Sequence, residues 1–270
     1  MMGAQDISWP ALGFCMAMLT VPLAIFVLLK VKLIKVTAWS ALRMCVQLLL
    51  VGLFLKYIFE WNSNPITLAW LLLMIIFAAL SVTGSTGLNY RRYAPLVFTS
   101  FLVSAFLVLL YFNGMVIRLD NLLEARYAIA IAGMLLGNSL RGAIIGIGDF
   151  YKSIKRDENR YQFALASGAT RYEALAPYLG GGMTMALKPA LANMAAMGLV
   201  FLPGMMTGQI LSGESPLLAV RYQIAIVVAI FVCVTMTVTL AVILTLVMSF
   251  DGFGVLRKDI FRKKRSTSGA

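Results

Sequence analysis

Apolar runs long enough to cross a bilayer, about 20 residues each, recur along this 270-residue chain. The runs 7–29 and 189–213 contain no Asp, Glu, Lys or Arg. Charged residues make up 13% of the chain, whereas soluble domains carry roughly 25%. The sequence therefore predicts an all-α integral membrane protein with a single transmembrane domain over residues 1–270.

Seven membrane-spanning helices are predicted, at 8–29, 37–59, 66–88, 94–115, 124–148, 189–212 and 222–249. Lys and Arg residues are concentrated in the cytoplasmic connections of membrane proteins. Here every second connection is basic, at 30–35, 91–92, 152–171 and 257–265. This alternation predicts an outside N-terminus, a cytoplasmic C-terminus and a basic cytoplasmic tail over 251–270.

The largest predicted cytoplasmic connection spans 150–188 and contains two short helices within 157–179. The first helix is predicted to end at Gly168, since glycine readily adopts the left-handed conformation that closes a helix. Thr170 then begins the second helix in a Thr-x-x-Glu capping box with Glu173. This helix-turn-helix is either a docking element for a soluble partner, which we favour, or an ordinary loop with local helicity.

Apolar residues give the helix-turn-helix a surface to bury, and three glycines follow it. Glycine has more backbone freedom than any other residue, so 180–182 is expected to form a flexible return to the membrane. The residues expected to be buried are Phe163, Ala164, Leu165, Leu175 and Tyr178.

The sixth predicted span contains residues that a helix built only to cross a membrane would not need. Pro203 and Gly204 predict a kink or break, because proline removes a helical hydrogen bond. Met205, Met206 and the amide of Gln209 follow. The break is either a packing kink or the moving part of a pathway. We favour the latter, with the two methionines as gate or seam residues rather than metal ligands.

Polar side chains within the other predicted spans fall on two helix faces. Arg43 and Gln47 are four residues apart, and Asn138 and Arg141 are three apart, so each pair shares a face. Polar groups inside a membrane usually face protein or a water-filled cavity. We expect the two faces to form one inward-facing vestibule. The alternative is hydrogen bonding between helices that serves packing alone.

Glycines recur at four-residue spacing, which lets helix backbones approach closely in a membrane. Packing within one chain and a homodimer seam would both explain the spacing. The pairs are Gly133 and Gly137, Gly142 and Gly146, and Gly204 and Gly208.

Several kinds of chemistry are excluded by residues that the chain lacks. It contains no His and no Walker A pattern, and its three cysteines, Cys15, Cys45 and Cys233, are far apart in apolar runs. No carboxylate lies deep in a predicted span, which disfavours a proton- or sodium-coupled carrier and a membrane-embedded enzyme. The net charge is +12, and the basic residues lie in short clusters between the apolar runs, as in cytoplasmic loops. Nucleic acid is therefore not an expected partner.

The ordered motifs resemble those of the FetB-type permeases, the membrane subunits of ABC transporters linked to iron export, with plant relatives associated with aluminium tolerance. The matching residues run through most of the chain: Arg43, Gln47, Leu48 and Gly52; Gly133, Met134, Gly137 and Asn138; Gly168, Ala169 and Thr170; Gly198, Leu199 and Val200; Leu202, Pro203, Gly204, Met205, Met206 and Gly208; and Pro216, Tyr222 and Gln223.

The resemblance implies a permease in the plasma membrane, the inner membrane of a bacterium, that forms a homodimer. ATP and Mg²⁺ would be bound by a separate ABC ATP-binding subunit, with no cofactor on this chain. That subunit would dock at Gln162, Gly168, Ala169, Thr170, Arg171 and Glu173. Here Gln162-Phe163-Ala164 stands where the coupling loop of other ABC permeases reads Glu-Ala-Ala.

The translocation pathway is expected at Arg43, Gln47, Asn138, Arg141, Pro203, Gly204, Met205, Met206 and Gln209. The resemblance implies export of iron or another metal-related solute, although the residues themselves supply no firm metal ligand. Thioethers suit ions softer than Fe²⁺, and arginines at a pathway mouth favour an anion or a chelate. The alternative function is a stand-alone, ATP-independent channel or carrier with a broken sixth helix.

Overall fold

The computed structural model describes residues 7–251, 254–257 and 260–261, and most of them are helical. Ten α-helices follow one another in this part of the chain, and a π-helical turn at Phe112–Ile117 continues α5. The helices are α1 (Trp9–Ala17), α2 (Thr20–Leu28), α3 (Ile34–Trp61), α4 (Asn64–Thr86), α5 (Tyr90–Tyr111), α6 (Ala125–Arg156), α7 (Glu158–Ala166), α8 (Arg171–Ala196), α9 (Gly204–Leu211) and α10 (Pro216–Ser249).

Six of the seven predicted spans are present as segments long and apolar enough to cross a membrane. They are Trp9–Leu28, Ile34–Trp61, Asn64–Thr86, Tyr90–Ile117, Ala125–Arg156 and Pro216–Ser249. The protein is therefore an all-helical, multi-pass membrane protein. Its orientation stays a prediction, and most basic residues of the predicted 251–270 tail lie outside the described part of the chain.

The sixth predicted span, 189–212, is wrong as a single helix. α8 ends at Ala196, a turn covers 197–203, and the eight-residue α9 follows. Gly198 takes a left-handed φ of +83°, which ends α8 before the proline is reached. The predicted break thus exists, but it begins six residues before Pro203.

The predicted flexible return at 180–182 is also wrong, because all three glycines lie inside α8. Gly182 is buried, and a Cβ placed on it would lie 2.8 Å from the carbonyl oxygen of Gly146 on α6. The absence of a side chain lets the two helix backbones touch, and this contact holds the glycine segment helical. The 150–188 segment is therefore the end of α6, the short α7 and most of α8.

The core lies among α4, α5, α6 and α10, with α8 packed against α6 and α10. Gly142 and Gly146 face this contact, and a Cβ on Gly146 would lie 2.8 Å from Val238 and 3.0 Å from Ala186. This glycine pair therefore serves packing within the chain. In contrast, a Cβ on Gly204 or Gly208 would meet no atom within 4 Å.

The first three helices contribute little to the core. α1 and α2 bury no residue, and α3 buries only Ile58. Their apolar side chains, among them Leu48 at 64% exposure, face away from the rest of the chain. These helices present apolar surface that lipid or another protein chain must cover.

Side chains of α7 and α8 contact the end of α10 and the residues that follow it. The Tyr161 hydroxyl on α7 donates a hydrogen bond to the Gly254 carbonyl oxygen at 2.8 Å. The Arg171 guanidinium, at the start of α8, donates to the Leu246 carbonyl oxygen at 3.1 Å and lies 4.6 Å from the centre of the Phe250 ring. The start of α8 is therefore fixed to the end of α10.

Candidate functional site

A pocket of about 320 Å³ lies where α6, the end of α8, the 197–203 turn, α9 and α10 meet. This volume is at the small end of the range for ligand sites in proteins. We call it the central pocket. Its lining residues are Met134, Asn138, Ala190, Asn193, Met194, Met197, Pro203, Gly204, Met205, Gln223, Ile226, Val227, Ile230 and Phe231.

The 197–203 turn connects the end of α8 to α9, which packs against α10 and forms one wall of the central pocket. The Gly198 amide donates to the Phe201 carbonyl oxygen at 3.0 Å, which closes the turn. Pro203 has extended backbone and immediately precedes the first residue of α9, where its missing N–H costs nothing. The glycine and the proline together place Met197 and Met205 on the same pocket.

Amide side chains supply the polar groups of the central pocket. The Asn138 Nδ2 donates to the Met134 carbonyl oxygen of its own helix at 2.8 Å, so this side chain lies along α6. Gln223 is 7% exposed, and its Oε1 has no hydrogen-bond partner within the described structure. A buried unpaired amide oxygen is costly, so it is a candidate to accept a bond from a solute or water.

A second cavity of about 560 Å³, the outer cavity, lies at the end of the bundle where α6 and α10 begin. It contains Glu124, Arg126 and Glu214, together with the buried, unpaired Oε1 of Gln209. Met134 and Met205 line both cavities, so these two side chains lie between them. A solute that passed from one cavity to the other would have to move past the two methionines.

The structure brings some of the predicted pathway residues together and leaves others apart. The central pocket contains Asn138, Pro203, Gly204 and Met205, and the outer cavity contains Gln209. The half-buried Met206 lines neither of these cavities.

Arg43, Gln47 and Arg141 are exposed on the surface of the chain and line neither cavity. The two faces expected to share one vestibule therefore do not enclose a described cavity within a single chain. The physical reason is that α3, which carries Arg43 and Gln47, packs hardly at all against α6.

The sequence did not predict five thioether and amide residues of the central pocket: Met134, Asn193, Met194, Met197 and Gln223. Asn193, Met194 and Met197 lie at the end of α8 and in the turn, inside the charge-free run. Only the position of Gly198 beside them indicated a turn. Gln223 was part of the family resemblance, but its contact with the turn depends on how α10 packs. That packing produces no recognisable pattern in the sequence around Gln223.

The α7–α8 turn has the two helix caps that the sequence predicts. Gly168 has a φ of +92°, its amide donates to the Leu165 carbonyl oxygen, and the Ala169 amide donates to the Ala164 carbonyl oxygen. These two bonds form a Schellman motif, which ends α7. The sequence predicted this end correctly.

The capping box at the start of α8 is confirmed. The Thr170 hydroxyl and amide both donate to Glu173 Oε2 at 2.7 Å, and the Glu173 amide donates to the Thr170 hydroxyl at 3.3 Å. The bond from the hydroxyl and then the bond from the amide hold the pKa of the exposed Glu173 carboxyl below its usual range. The carboxylate therefore stays ionised and α8 begins at a fixed residue.

Two aromatic side chains project from the α7–α8 turn. Phe163 is 73% exposed and Tyr172 is 75% exposed, and they lie on opposite sides of Gly168. The expectation that Phe163 is buried is wrong, because α7 packs through Tyr161, Ala164 and Leu165 instead. Exposed aromatic residues beside a rigid turn are typical anchors for a protein partner.

α8 connects this turn directly to the central pocket. It has 26 residues, a length of about 39 Å at 1.5 Å per residue. Its first turn carries Tyr172, and its last turns carry Asn193 and Met194 at the pocket wall. One helix, with Pro177 and Pro189 in its interior, therefore joins the turn to the pocket wall.

Comparison with known proteins places the chain in a family. Residues 9–250 match the sequence profile of a family described as "Uncharacterised protein family (UPF0014)". The chain belongs to the UPF0014 family. No solved structure is significantly similar to it.

Three relatives indicate what kind of protein this family contains. The chain is 33% identical to UPF0014 membrane protein YjkA of Bacillus subtilis, over 70% of this chain and 74% of the relative. It is 29% identical to the probable iron export permease protein FetB of Escherichia coli, over 83% and 85%. It is 31% identical to protein ALUMINUM SENSITIVE 3 of Arabidopsis thaliana, over 70% and 68%. This UPF0014 protein is therefore similar to membrane proteins, one of which is named as a probable permease.

Proposed function

We propose that this chain is the permease subunit of an ABC transporter that exports iron or another metal-related solute. A separate subunit would bind ATP and Mg²⁺ and supply the energy. The observation that carries the proposal is the continuous α8, which joins an exposed aromatic turn to the wall of the central pocket. A helix that joins the docking turn to the pocket wall is what a transporter driven from a separate subunit needs, and Pro177 and Pro189 inside α8 are the points at which it would bend.

The sequence and the surface of the α7–α8 turn both support a separate ATP-binding subunit that docks on this chain. The chain has no Walker A motif to hold ATP phosphates, so the energy must come from elsewhere. Gln162 and Thr170 are exposed and Ala169 is half-buried, and their closeness in sequence to the exposed Phe163 and Tyr172 supports a docking role for the turn. Arg171, by contrast, is bound to α10 and would pass on movement rather than anchor the partner.

A homodimer is supported by charges that one chain leaves exposed. Arg43 and Arg141 lie within helices long and apolar enough to span a membrane, yet both are exposed. Ionisable residues at membrane depth almost always face protein or water. A second copy of the chain would provide that environment, and the open Gly204 and Gly208 on α9 allow close approach.

Iron as the solute, and export as the direction, rest on the name of the E. coli relative. Within the described ranges, no group of three or more Cys, Asp or Glu side chains could hold a metal ion. An iron pathway would therefore have to use amide and thioether groups, or carry iron as a chelate.

A stand-alone channel or carrier is the second candidate. It is favoured by the outer cavity and the central pocket, which are separated only by Met134 and Met205 near the broken helix. It predicts flux without ATP in liposomes that contain this chain alone. The ABC proposal predicts no such flux.

Co-purification with an ABC ATPase, sought first in the reading frames beside that of this chain, tests the docking site. Gly168→Val should reduce the bound ATPase about tenfold or more, because a β-branched residue at a φ of +92° costs at least about 1–2 kcal/mol and would displace the turn. The matched control is Ala166→Val, an equal side chain on the exposed, ordinary helical residue two positions earlier. Equal ATPase recovery with both variants would contradict a docking role for this turn.

A further inference from the structure

The central pocket is unusually rich in thioether groups. Met134 on α6, Met194 on α8, Met197 in the turn and Met205 on α9 all line it. Sixteen of the 270 residues are Met, so a set of fourteen residues would contain about one Met at that frequency. The fourteen residues that line the pocket contain four. Four separate elements thus each bring one sulfur to the same cavity.

The thioethers border an open volume, and one of them is held in place by an amide. Methionine commonly fills irregular gaps in apolar cores. Here the four side chains line an open cleft of about 320 Å³ instead of filling it, and Met194 is 37% exposed. The Gln223 Nε2 lies 3.8 Å from the Met197 sulfur as a donor, which orients that side chain, while its Oε1 has no partner.

The lining carries no formal charge, and this limits the ions that it can take. None of its fourteen residues is Asp, Glu, Lys or Arg. A multivalent cation would lose its hydration without any opposite charge in return, which is far more costly than for a monovalent ion. Thioether ligands also select soft ions such as Cu(I) over the harder ions that prefer oxygen.

We propose that the central pocket is a binding site for one soft monovalent metal ion of the Cu(I) class. Met134, Met194, Met197 and Met205 supply the ligands, and the Gln223 Oε1 is available as an additional oxygen. The exposed Arg43 and Arg141 are not among the residues that line the pocket. The inference deepens the proposed function by naming its solute class and rests on that proposal only for transport, since binding requires this chain alone.

Calorimetric titration of the purified full chain with Ag(I), a redox-stable ion of this class, tests the site. Cys15 and Cys45 are not buried and would also bind Ag(I), so both are first changed to Ala. We expect one Ag(I) per chain to bind in this background, with a sulfur shell in X-ray absorption. Fe(II) at equal concentration should not displace it.

Matched triple variants separate the pocket from other methionines. Met134→Leu, Met197→Leu and Met205→Leu together should weaken Ag(I) binding at least a hundredfold, because leucine keeps the volume and removes the sulfur. The control changes Met18, Met115 and Met248, which are 71%, 69% and 42% exposed, to Leu and should bind as before. Met205→Leu alone should weaken binding about tenfold, which provides a test should the triple variant fold poorly.

Equal Ag(I) affinity in the pocket and control variants would overturn the inference, as would displacement of Ag(I) by Fe(II). Neither result would affect ATPase co-purification, which tests the proposed function separately. Conversely, loss of co-purification without loss of Ag(I) binding would overturn the ABC proposal and leave the site in place.

Discussion

Gly182→Ala is expected to destabilise the protein, whereas Gly180→Ala, two residues earlier on the same helix, is not. A Cβ at position 182 would lie 2.8 Å from the Gly146 carbonyl oxygen and 3.3 Å from the Phe150 Cβ. The first of these is a backbone atom, so α6 and α8 must separate. Overpacking of this kind costs about 1–3 kcal/mol, partly offset by about 1 kcal/mol of helix propensity.

Gly180 is the matched control, because it is exposed and a Cβ there would meet no atom within 4 Å. Alanine at that position should leave the thermal unfolding midpoint in detergent unchanged or raise it, by the same gain in helix propensity. It should also leave ATPase co-purification and transport unchanged. If Gly180→Ala impaired transport as strongly as Gly182→Ala, the glycines would act as a hinge within α8.

Replacement of both Phe163 and Tyr172 by Asp should remove ATPase binding almost completely. Exposed aromatic anchors at protein interfaces typically contribute about 2 kcal/mol or more each, so the pair should lower the affinity at least about a hundredfold. Both side chains are largely exposed, so neither substitution opens a cavity. The measurement is the affinity of the purified ATPase for this chain in detergent or nanodiscs.

Asn159→Asp is the control for the aromatic pair. It adds an acidic charge to an exposed position of α7, the helix that carries Phe163, and removes no aromatic ring. It should bind the ATPase with an affinity close to that of the unchanged protein. If the aromatic double variant also kept its affinity, the docking surface would have to lie elsewhere on the chain.

Apolar run length predicted most of the fold because the bilayer imposes the same requirement on every spanning helix. α3, α4 and α10 begin or end within a few residues of their predicted bounds, apart from the earlier start of α10 at Pro216. The prediction failed over 189–212, where no charge marks the end of α8. Apolarity cannot distinguish a helix from a turn when both lie among apolar neighbours, and the left-handed Gly198 decides the outcome.

Local propensity failed where packing between distant segments overrides it. Three consecutive glycines predict flexibility, yet Gly182 is buried against Gly146, which is 36 positions away in the chain. Phe163 was expected to be buried as an apolar residue, but α7 uses another face for packing. The caps at Gly168 and Thr170 were predictable because their hydrogen bonds are made within five residues.

The candidate site was predictable only in part for the same reason. Pro203, Gly204 and Met205 stood out from their own segment, and they do line the central pocket. Met194 and Gln223 join them through the packing of α8 and α10, which leaves no pattern in either segment. Arg43 is exposed because α3 packs so little against the rest of the chain, and spacing within one segment cannot predict that.

Metal flux in proteoliposomes tests most directly whether a separate ATPase drives solute through this UPF0014 protein. The vesicles contain the chain with or without the ABC ATPase that co-purifies with it, and Fe(II) and Ag(I) are the two solutes. We expect flux only when the ATPase, ATP and Mg²⁺ are all present, and loss of that flux in the Phe163→Asp, Tyr172→Asp variant. Equal flux through the chain alone, without ATP, would contradict this expectation.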